Sequence, residues 1–271
     1  MVSVEQWKMW GSVVEVDVTE GAALSAASAL IASFIDDVEA VCDLQRGDAE
    51  IHEVNLSQGA PVKVSRHMSS LLRSALWAAR MTDGVVGPLA LATFDEESMP
   101  PVHPAPTYLD VQIDDDIVFA PWGASFDIAD IAKADTVGRA AELIAAELEC
   151  GVAVRIGEVV ATAGHCPAGG WQIDVPSDGV VELVNGTAMA TVFRAGAVDD
   201  PMASETEWEQ VTVVADDPLW AYAAASAAMS RRIGAIRWID QHGLQARLVD
   251  RAGRVITTAE WADAAPPPVS G

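Results

Sequence analysis

Asp127, Asp130 and Lys133, spaced three apart within G-A-S-F-D-I-A-D-I-A-K at residues 123–133, are the side chains best placed to do chemistry together. An apolar run, Ile117 to Ala120, leads into a turn with Pro121 and Gly123, and an alanine-rich helix follows to about Glu149. Either aspartate can cap that helix by accepting from its free N–H groups. Lys133 then falls in or near the first turn, where a cation opposes the helix dipole unless an anion lies nearby. A strand, a turn and a helix N-terminus with a lysine can make a phosphate or diphosphate site. The same residues also read as an ordinary cap, with two aspartates neutralising Lys133 on a solvated surface. Both readings stand at this level.

The elements that must position these residues follow from pattern. Alternation over residues 12–18 predicts a strand, and Gly21 introduces a long helix over 22–43. Residues 47–55 read as a short capped helix or turn, and 61–64 as a brief strand. Ser65 caps a helix over 66–81, with Met68, Leu71, Leu72, Ala75, Leu76 and Ala79 at helical spacing. Thr82-Asp83-Gly84 is a stop signal for it. Four prolines within 95–106 exclude regular structure there. Strands are expected at 107–113 and 116–120, before the helix to Glu149. Further strands at 151–156, 158–163, 171–175, 179–184, 187–193 and 209–215, separated by short turns, suggest an antiparallel meander. Helices at 218–231 and 233–241 follow, then strands at 244–250 and 254–257 about a turn at Ala252-Gly253. This order predicts an α+β fold with mostly antiparallel sheet. Residues 1–263 are expected to form one domain or two intimately packed halves, and the tail 264–271 to be disordered.

Composition narrows the function. The chain has 16 Lys+Arg against 40 Asp+Glu, a net charge of −24, and so repels nucleic acid and anionic membrane over most of its face. An anionic ligand needs a local basic site or a divalent cation to offset that field. Cys42, Cys150 and Cys166 form neither a disulfide framework nor a zinc pattern, and the first two read as buried thiols in apolar helical pattern. Cys166 beside His165 falls well short of a structural zinc site. The N-terminal residues lack a signal-peptide pattern, which points to the cytoplasm. The apolar helix over 22–41 carries Asp36, Asp37 and Glu39 and reads as core-facing, not membrane-spanning. Trp122, Phe126 and Trp10 could line an aromatic ligand, though core packing is their ordinary role.

Several segments, in order, resemble the ApbE family of FAD:protein FMN transferases. M-W-G-S at 9–12 resembles the family's M-G-T, and G-D-A-E-I-H-E-V-N at 47–55 its D-S-E-I-x-x-L-N. G-A-P-V-K-V-S at 59–65 resembles the segment that follows. T-D-G-V-V-G-P-L at 82–89 resembles T-D-G-A-F-D-P-T, and F-D-I-A-D-I-A-K at 126–133 resembles L-D-L-G-G-I-A-K-G. G-E-V-V-A-T-A-G at 157–164 sits at G-G-D-I-x-x-x-G, and A-T-V at 190–192 at A-T-S. V-T-V-V-A at 211–215 with A-Y-A-A-A-S-A at 221–227 resembles V-T-V-V-A with A-D-A-L-A-T-A. The resemblance implies a T-fold-like architecture. It also implies Mg²⁺-dependent transfer of FMN from FAD to a Thr or Ser of a partner flavoprotein, by attack at a diphosphate phosphorus. It places Asp83, Asp127, Lys133, Gly157 and Thr191 beside FAD or FMN. It draws a metal site from the Ala132 carbonyl and Ser226.

The departures fall on chemical positions. Tyr222 stands where the family has its metal-ligating Asp, and Ser226 where it has Thr. Tyrosine is a poor Mg²⁺ ligand because its phenol stays protonated at neutral pH. G-G-D has become Gly157-Glu158-Val159, with the carboxylate moved by one position. The family's H-x-x-x-D-P-x-T-G is reduced to Asp199, Asp200 and Pro201, without its histidine. Gly138 and Gly87 replace two further aspartates. Asp216 or Asp217 could substitute as a ligand. The sequence assigns no catalytic residue. It leaves open a working transferase with a modified metal site, an impaired relative that still binds flavin, and a scaffold that keeps only the fold.

Overall fold

The computed structural model describes residues 2–90, 105–175, 179–194, 207–259 and 261. Most of the proline-rich stretch, the Asp199-Asp200-Pro201 remnant and the tail 264–271 lie outside the described residues. In chain order the elements begin with β1 (Ser3–Met9), β2 (Ser12–Val18), α1 (Leu24–Cys42), α2 (Ile51–Leu56), β3 (Pro61–Lys63) and α3 (Arg66–Thr82). Next come β4 (Gln112–Asp114), β5 (Ile117–Phe119), α4 (Ala129–Leu148), β6 (Val152–Ile156) and β7 (Val159–Ala163). The order then runs β8 (Trp171–Val175), β9 (Gly179–Leu183), β10 (Ala188–Phe193) and β11 (Trp208–Ala215). It closes with α5 (Pro218–Ser230), α6 (Gly234–Gln241), β12 (Gln245–Asp250) and β13 (Val255–Thr257). The fold is α+β, and the described strand pairings are antiparallel.

The chain divides into two compact units. One holds Met1–Ala32 and Thr136–Gly271, the other Ser33–Asp135. The first unit is built on an eight-stranded sheet ordered β1-β2-β6-β7-β10-β11-β12-β13. Its first strand is absent from the sequence reading. Trp10 and Gly11 both have positive φ, 50° and 63°, and join Met9 to its partner Ser12 in a two-residue hairpin turn. The expected simple meander is corrected: β8 and β9 leave the sheet order and form their own ribbon. Trp171, Ile173, Val175, Val181 and Leu183 of the ribbon pack with Ala153, Val160, Met189 and Val214 of the sheet and with Trp261. Met189 opposes both Val160 and Val214, so these residues mark one face. Residues of the other parity, Ala188, Ala190, Val211 and Val213, are also buried, and α5 packs against the strands that carry them. Six α5 alanines are fully buried, because only small side chains let a helix lie this close to a sheet.

The second unit contains a three-stranded sheet ordered β3-β5-β4. Ser65 caps α3 as expected: its Oγ accepts from the Met68 N–H at 3.0 Å. Buried residues of α3 fall at helical spacing and include Met68, Leu71, Leu72, Ala75, Leu76 and Ala79. The strand expected at 107–113 is shorter than its pattern suggests. Thr107 and Asp110 close a capping box around a single turn, and pairing begins only at Gln112. In α1 the buried stripe is Ala27, Ile31, Ile35, Val38 and Cys42, the spacing of a helix packed along one face. By length and composition alone, Gly21–Cys42 would also be able to cross a membrane. Cys150 is buried as expected, but it follows α4 instead of lying within a helix.

Candidate functional site

In the second unit two of the motifs are brought together. Thr82 ends α3 fully buried. Its hydroxyl donates to the Ala78 carbonyl at 2.7 Å and accepts from the Val86 N–H at 3.0 Å, which folds the T-D-G-V-V segment back on its helix. Asp83 takes the left-handed conformation, φ 58°, as the C-cap. Gly84 follows at φ 83°, and a Cβ there would lie 3.0 Å from the Tyr108 ring. The Ala90 N–H then donates to the Ser125 carbonyl and the Asp127 N–H to the Pro88 carbonyl. Asn55 holds the same strip from the other side by hydrogen bonds to Phe126.

A cavity of about 600 Å³ opens beside this strip. Asp83, Gly84, Pro88, Tyr108, Gly123 and Ser125 are among its walls. Its volume falls in the range of small-molecule pockets, roughly 300–1,000 Å³. No lysine or arginine is among its lining residues. It is suited to a largely uncharged ring, with Asp83, Tyr108 and Ser125 as its polar lining residues.

Asp127 and Lys133 are not among the lining residues. Asp127 caps α4, its Oδ1 accepting from the Ala129 N–H at 3.2 Å. Lys133 stands in the second turn of α4, not the first, where the helix dipole opposes a cation only weakly. Its Nζ lies 3.5 Å from Asp130 Oδ1, and its side chain is only 21% exposed. The surface around it is thus less solvated than the ordinary reading requires. Burial pushes the Glu39 carboxyl up, Asp43 and Asp36 add to this, and Arg46 and Lys133 work against it. Ala132 is fully buried inside α4. Its carbonyl therefore belongs to the helix ladder, whose partner is the N–H four residues on.

The remaining candidates lie in the first unit. Gly157 opens the two-residue turn from β6 to β7 at φ 59°, and a Cβ there meets nothing nearer than Ser12 Oγ at 3.6 Å. The turn needs glycine for its backbone, not for a close approach. Glu158 is the second residue of that turn, so the expected flip across a strand face does not arise; its carbonyl accepts from the Thr191 N–H. Thr191 is buried, with its hydroxyl 3.0 Å from that of Thr212, which also receives Gln210 Nε2. Arg247, 1% exposed, stands opposite Thr212 on β12. Thr191, Thr212 and Arg247 thus form a buried polar row across three strands.

Tyr222 and Ser226 are one helical turn apart on α5. Both are half-buried, in one row with buried Pro218 and exposed Ser230. Asp217 is the N-cap of α5, its Oδ1 accepting from the Trp220 N–H at 2.7 Å, so it is already engaged. His165 bonds to Thr19 and Glu20. No group of three His, Cys, Asp or Glu side chains that could hold a metal occurs among the described residues. A phenol, a hydroxyl and a helix-ladder carbonyl are a poor donor set for Mg²⁺, which favours carboxylate oxygens in near-octahedral array. The residues present do not fit that ion.

Asn55, Tyr108 and Ser125 are site residues that sequence reasoning did not single out. Asn55 closes the G-D-A-E-I-H-E-V-N motif, and its place in that motif is the one signal that could have found it.

The sequence model of the ApbE family matches residues 10–192. No curated protein matches the chain. Among solved structures, the ApbE protein of Thermotoga maritima is 17% identical, with 98% of this chain and 100% of that chain covered and a TM-score of 0.82. The flavinyl transferase ApbE of Pseudomonas stutzeri in its apo form is 17% identical, with 98% of each chain covered and a TM-score of 0.78. The flavin transferase ApbE of Vibrio cholerae is 15% identical over 98% of this chain and 99% of that one, with a TM-score of 0.77.

Proposed function

We infer the function from one premise: this chain belongs to the ApbE family. The reading is a flavin-nucleotide-binding protein of the FMN-transferase type with impaired transfer. It takes FAD, and its residual activity moves the FMN half to a hydroxyl of a partner flavoprotein. In that reaction the acceptor oxygen bonds to the phosphorus on the riboflavin side. The bridging P–O bond breaks, AMP leaves with its electron pair, and the hydroxyl proton passes to solvent. The flavin-transferase names of the Pseudomonas stutzeri and Vibrio cholerae proteins support the reaction class.

Ring binding is supported by the cavity beside Gly123–Ser125, with Asp83 at its wall. Lys133 is proposed for the diphosphate side; the resemblance alone also names Asp127, which caps α4, Gly157, and Thr191, whose hydroxyl is engaged with Thr212. The observation that carries the impairment is the Tyr222–Ser226 pair, one helical turn apart on α5, where the resemblance puts the family's Asp and Thr. A protonated phenol is a poor ligand for the divalent cation that would offset a diphosphate's charge, so no step is routed through a metal here.

The test is titration of the purified protein with FAD, followed by flavin fluorescence, together with AMP release with and without Mg²⁺. Saturable quenching with slow AMP release is expected, and Tyr222→Asp should raise Mg²⁺-dependent release about tenfold or more, the scale of one transition-state charge contact. Absence of flavin binding in both proteins would leave only a scaffold. Fast release by the unmodified chain would return it to the working transferases.

A further inference from the structure

The three short strands of the second unit pair in rows. Pro61, Phe119 and Gln112 stand opposite one another, and so do Lys63, Ile117 and Asp114. Directly opposed residues of antiparallel strands point to the same side, as do residues two apart along a strand. These six side chains therefore share one face. All six are exposed, whereas Val118, between Ile117 and Phe119, is buried on the opposite face. Ile117 is 40% exposed and Phe119 39%, so the centre of the face is apolar and open. Trp122, 50% exposed, lies against Gly59 just ahead of β3 and prolongs the apolar surface along the strands.

This apolar centre lies between opposite charges. Lys63 is on one side of Ile117 and Asp114 on the other, their backbones about 9–10 Å apart by strand spacing. Neither forms an ion pair with a described residue. The surroundings are close to neutral. Arg66 and Arg73 line one shallow cavity with Asp115 and Asp116, and Arg73 also donates to the Asp115 carbonyl at 2.6 Å. Glu50, bonded to Ser65, adds one more carboxylate. Lys63, Arg66 and Arg73 thus stand against Asp114, Asp115, Asp116 and Glu50. A chain of net charge −24 repels its copies over most of its surface, but little at this corner.

We propose that this face pairs with the same face of a second copy of the chain, sheet on sheet. A two-fold axis parallel to β5 sets Ile117 on Ile117 and Phe119 on Phe119 of the two copies. It also exchanges the flanking strands, so that β3 of one copy lies over β4 of the other. Lys63 of each copy then meets Asp114 of the other, and Pro61 meets Gln112. The alternative axis, across the strands, sets Lys63 over Pro61 and Asp114 over Gln112 and leaves both charges unmatched. Charge complementarity therefore selects the first arrangement and a second copy as occupant. A purely acidic or purely basic segment finds only half of a match. Strands of three residues offer less than the roughly 800 Å² per copy of a standard interface, so a weak dimer is expected, with a Kd on the order of 10–100 μM. The proposal is independent of the flavin reading.

The test is sedimentation equilibrium of the full chain from about 1 to 300 μM, a range that brackets this affinity. A reversible monomer–dimer equilibrium is expected. Lys63→Glu sets glutamate against aspartate at both ends of the face, and Asp114→Lys sets lysine against lysine. Each variant alone should weaken association about tenfold or more. Mixed in equal amounts, the two restore both opposite-charge pairs and should form a heterodimer within about threefold of the original affinity. Phe119→Ser should weaken association about tenfold and gain nothing from mixing with either charge variant. Circular dichroism checks that each variant folds, and rescue on mixing separates lost pairing from lost structure. A chain that stays monomeric throughout, a dimer indifferent to both charge reversals, or a mixture no stronger than its components overturns the proposal. Lys63-dependent binding of poly-glutamate by a monomeric chain would assign the face to an acidic partner and equally overturn it.

Discussion

Asn55 holds Phe126 by both of its backbone groups. Its Nδ2 donates to the Phe126 carbonyl at 3.1 Å, and its Oδ1 accepts from the Phe126 N–H at 2.6 Å. A side-chain amide has one donor side and one acceptor side, so it can replace a missing strand partner. Phe126 is fully buried, and its neighbours Ser125 and Asp127 pair with Ala90 and Pro88. The strip that walls the cavity is thus fixed by a residue about seventy positions earlier in the chain.

Asn55→Ala removes both bonds and leaves two backbone groups without that partner. A loss of about 2 kcal/mol is expected in urea unfolding, since each unsatisfied group costs on the order of 1–3 kcal/mol when buried. Flavin quenching should weaken with it. An unchanged unfolding midpoint would show that the strip holds its shape without the clamp.

The two glycines at the ends of β7 should respond differently. At Gly164, φ is 76° and a Cβ would lie 2.1 Å from the Cys150 carbonyl oxygen, so alanine must move backbone. A loss of about 3 kcal/mol or more is expected there. Gly157→Ala meets only conformational strain, roughly 1 kcal/mol. Thermal unfolding of both variants checks the contrast, and equal losses would contradict it.

Asp17 lies on β2 with its Oδ1 buried and without a hydrogen-bond partner. Burial raises its pKa from 3.8 to about 6, the Glu15 charge adds to this, and Arg155 opposes it. The folded state therefore binds the proton more tightly than the unfolded chain. The resulting stabilisation is complete below about pH 3.8 and is lost as pH rises through about 6. Asp17→Asn should be the more stable protein at pH 8, by roughly 1 kcal/mol after allowance for solvent screening. Its advantage should shrink as the pH falls below 6. Melting curves across pH 4–8 would contradict the assignment if the advantage were constant.

The three cysteines should separate by reactivity. Burial pushes the Cys42 thiol up to about 12, with Asp43 the next contributor, and also raises that of Cys150. Cys166 is half-buried. A thiol reagent at pH 8 should find Cys166 quickly in the native protein and all three in urea, because the thiolate is the reacting form. Rapid native labelling of Cys42, read by mass spectrometry, would mean that α1 opens readily.

Local pattern was sufficient for α3. Its apolar spacing, its Ser65 cap and its Thr82-Asp83-Gly84 stop all appear in the structure, since each depends on neighbours within a turn. Pattern failed for β1, whose Ser3–Met9 run alternates weakly and is held by its partner β2. It overextended the strand before Asp114, where a capping box at Thr107 and Asp110 outcompeted pairing.

The family and the α+β class were legible in the sequence, because ordered motifs and residue patterns are properties of the chain. Only the tertiary structure decided that the cavity lies beside Gly123–Ser125 and not at Lys133, that Asp127 is spent on capping α4, and that the Thr191 hydroxyl is engaged with Thr212. A side chain's hydrogen-bond partners and the free volume around it are set by segments distant in sequence, and no local spacing encodes them.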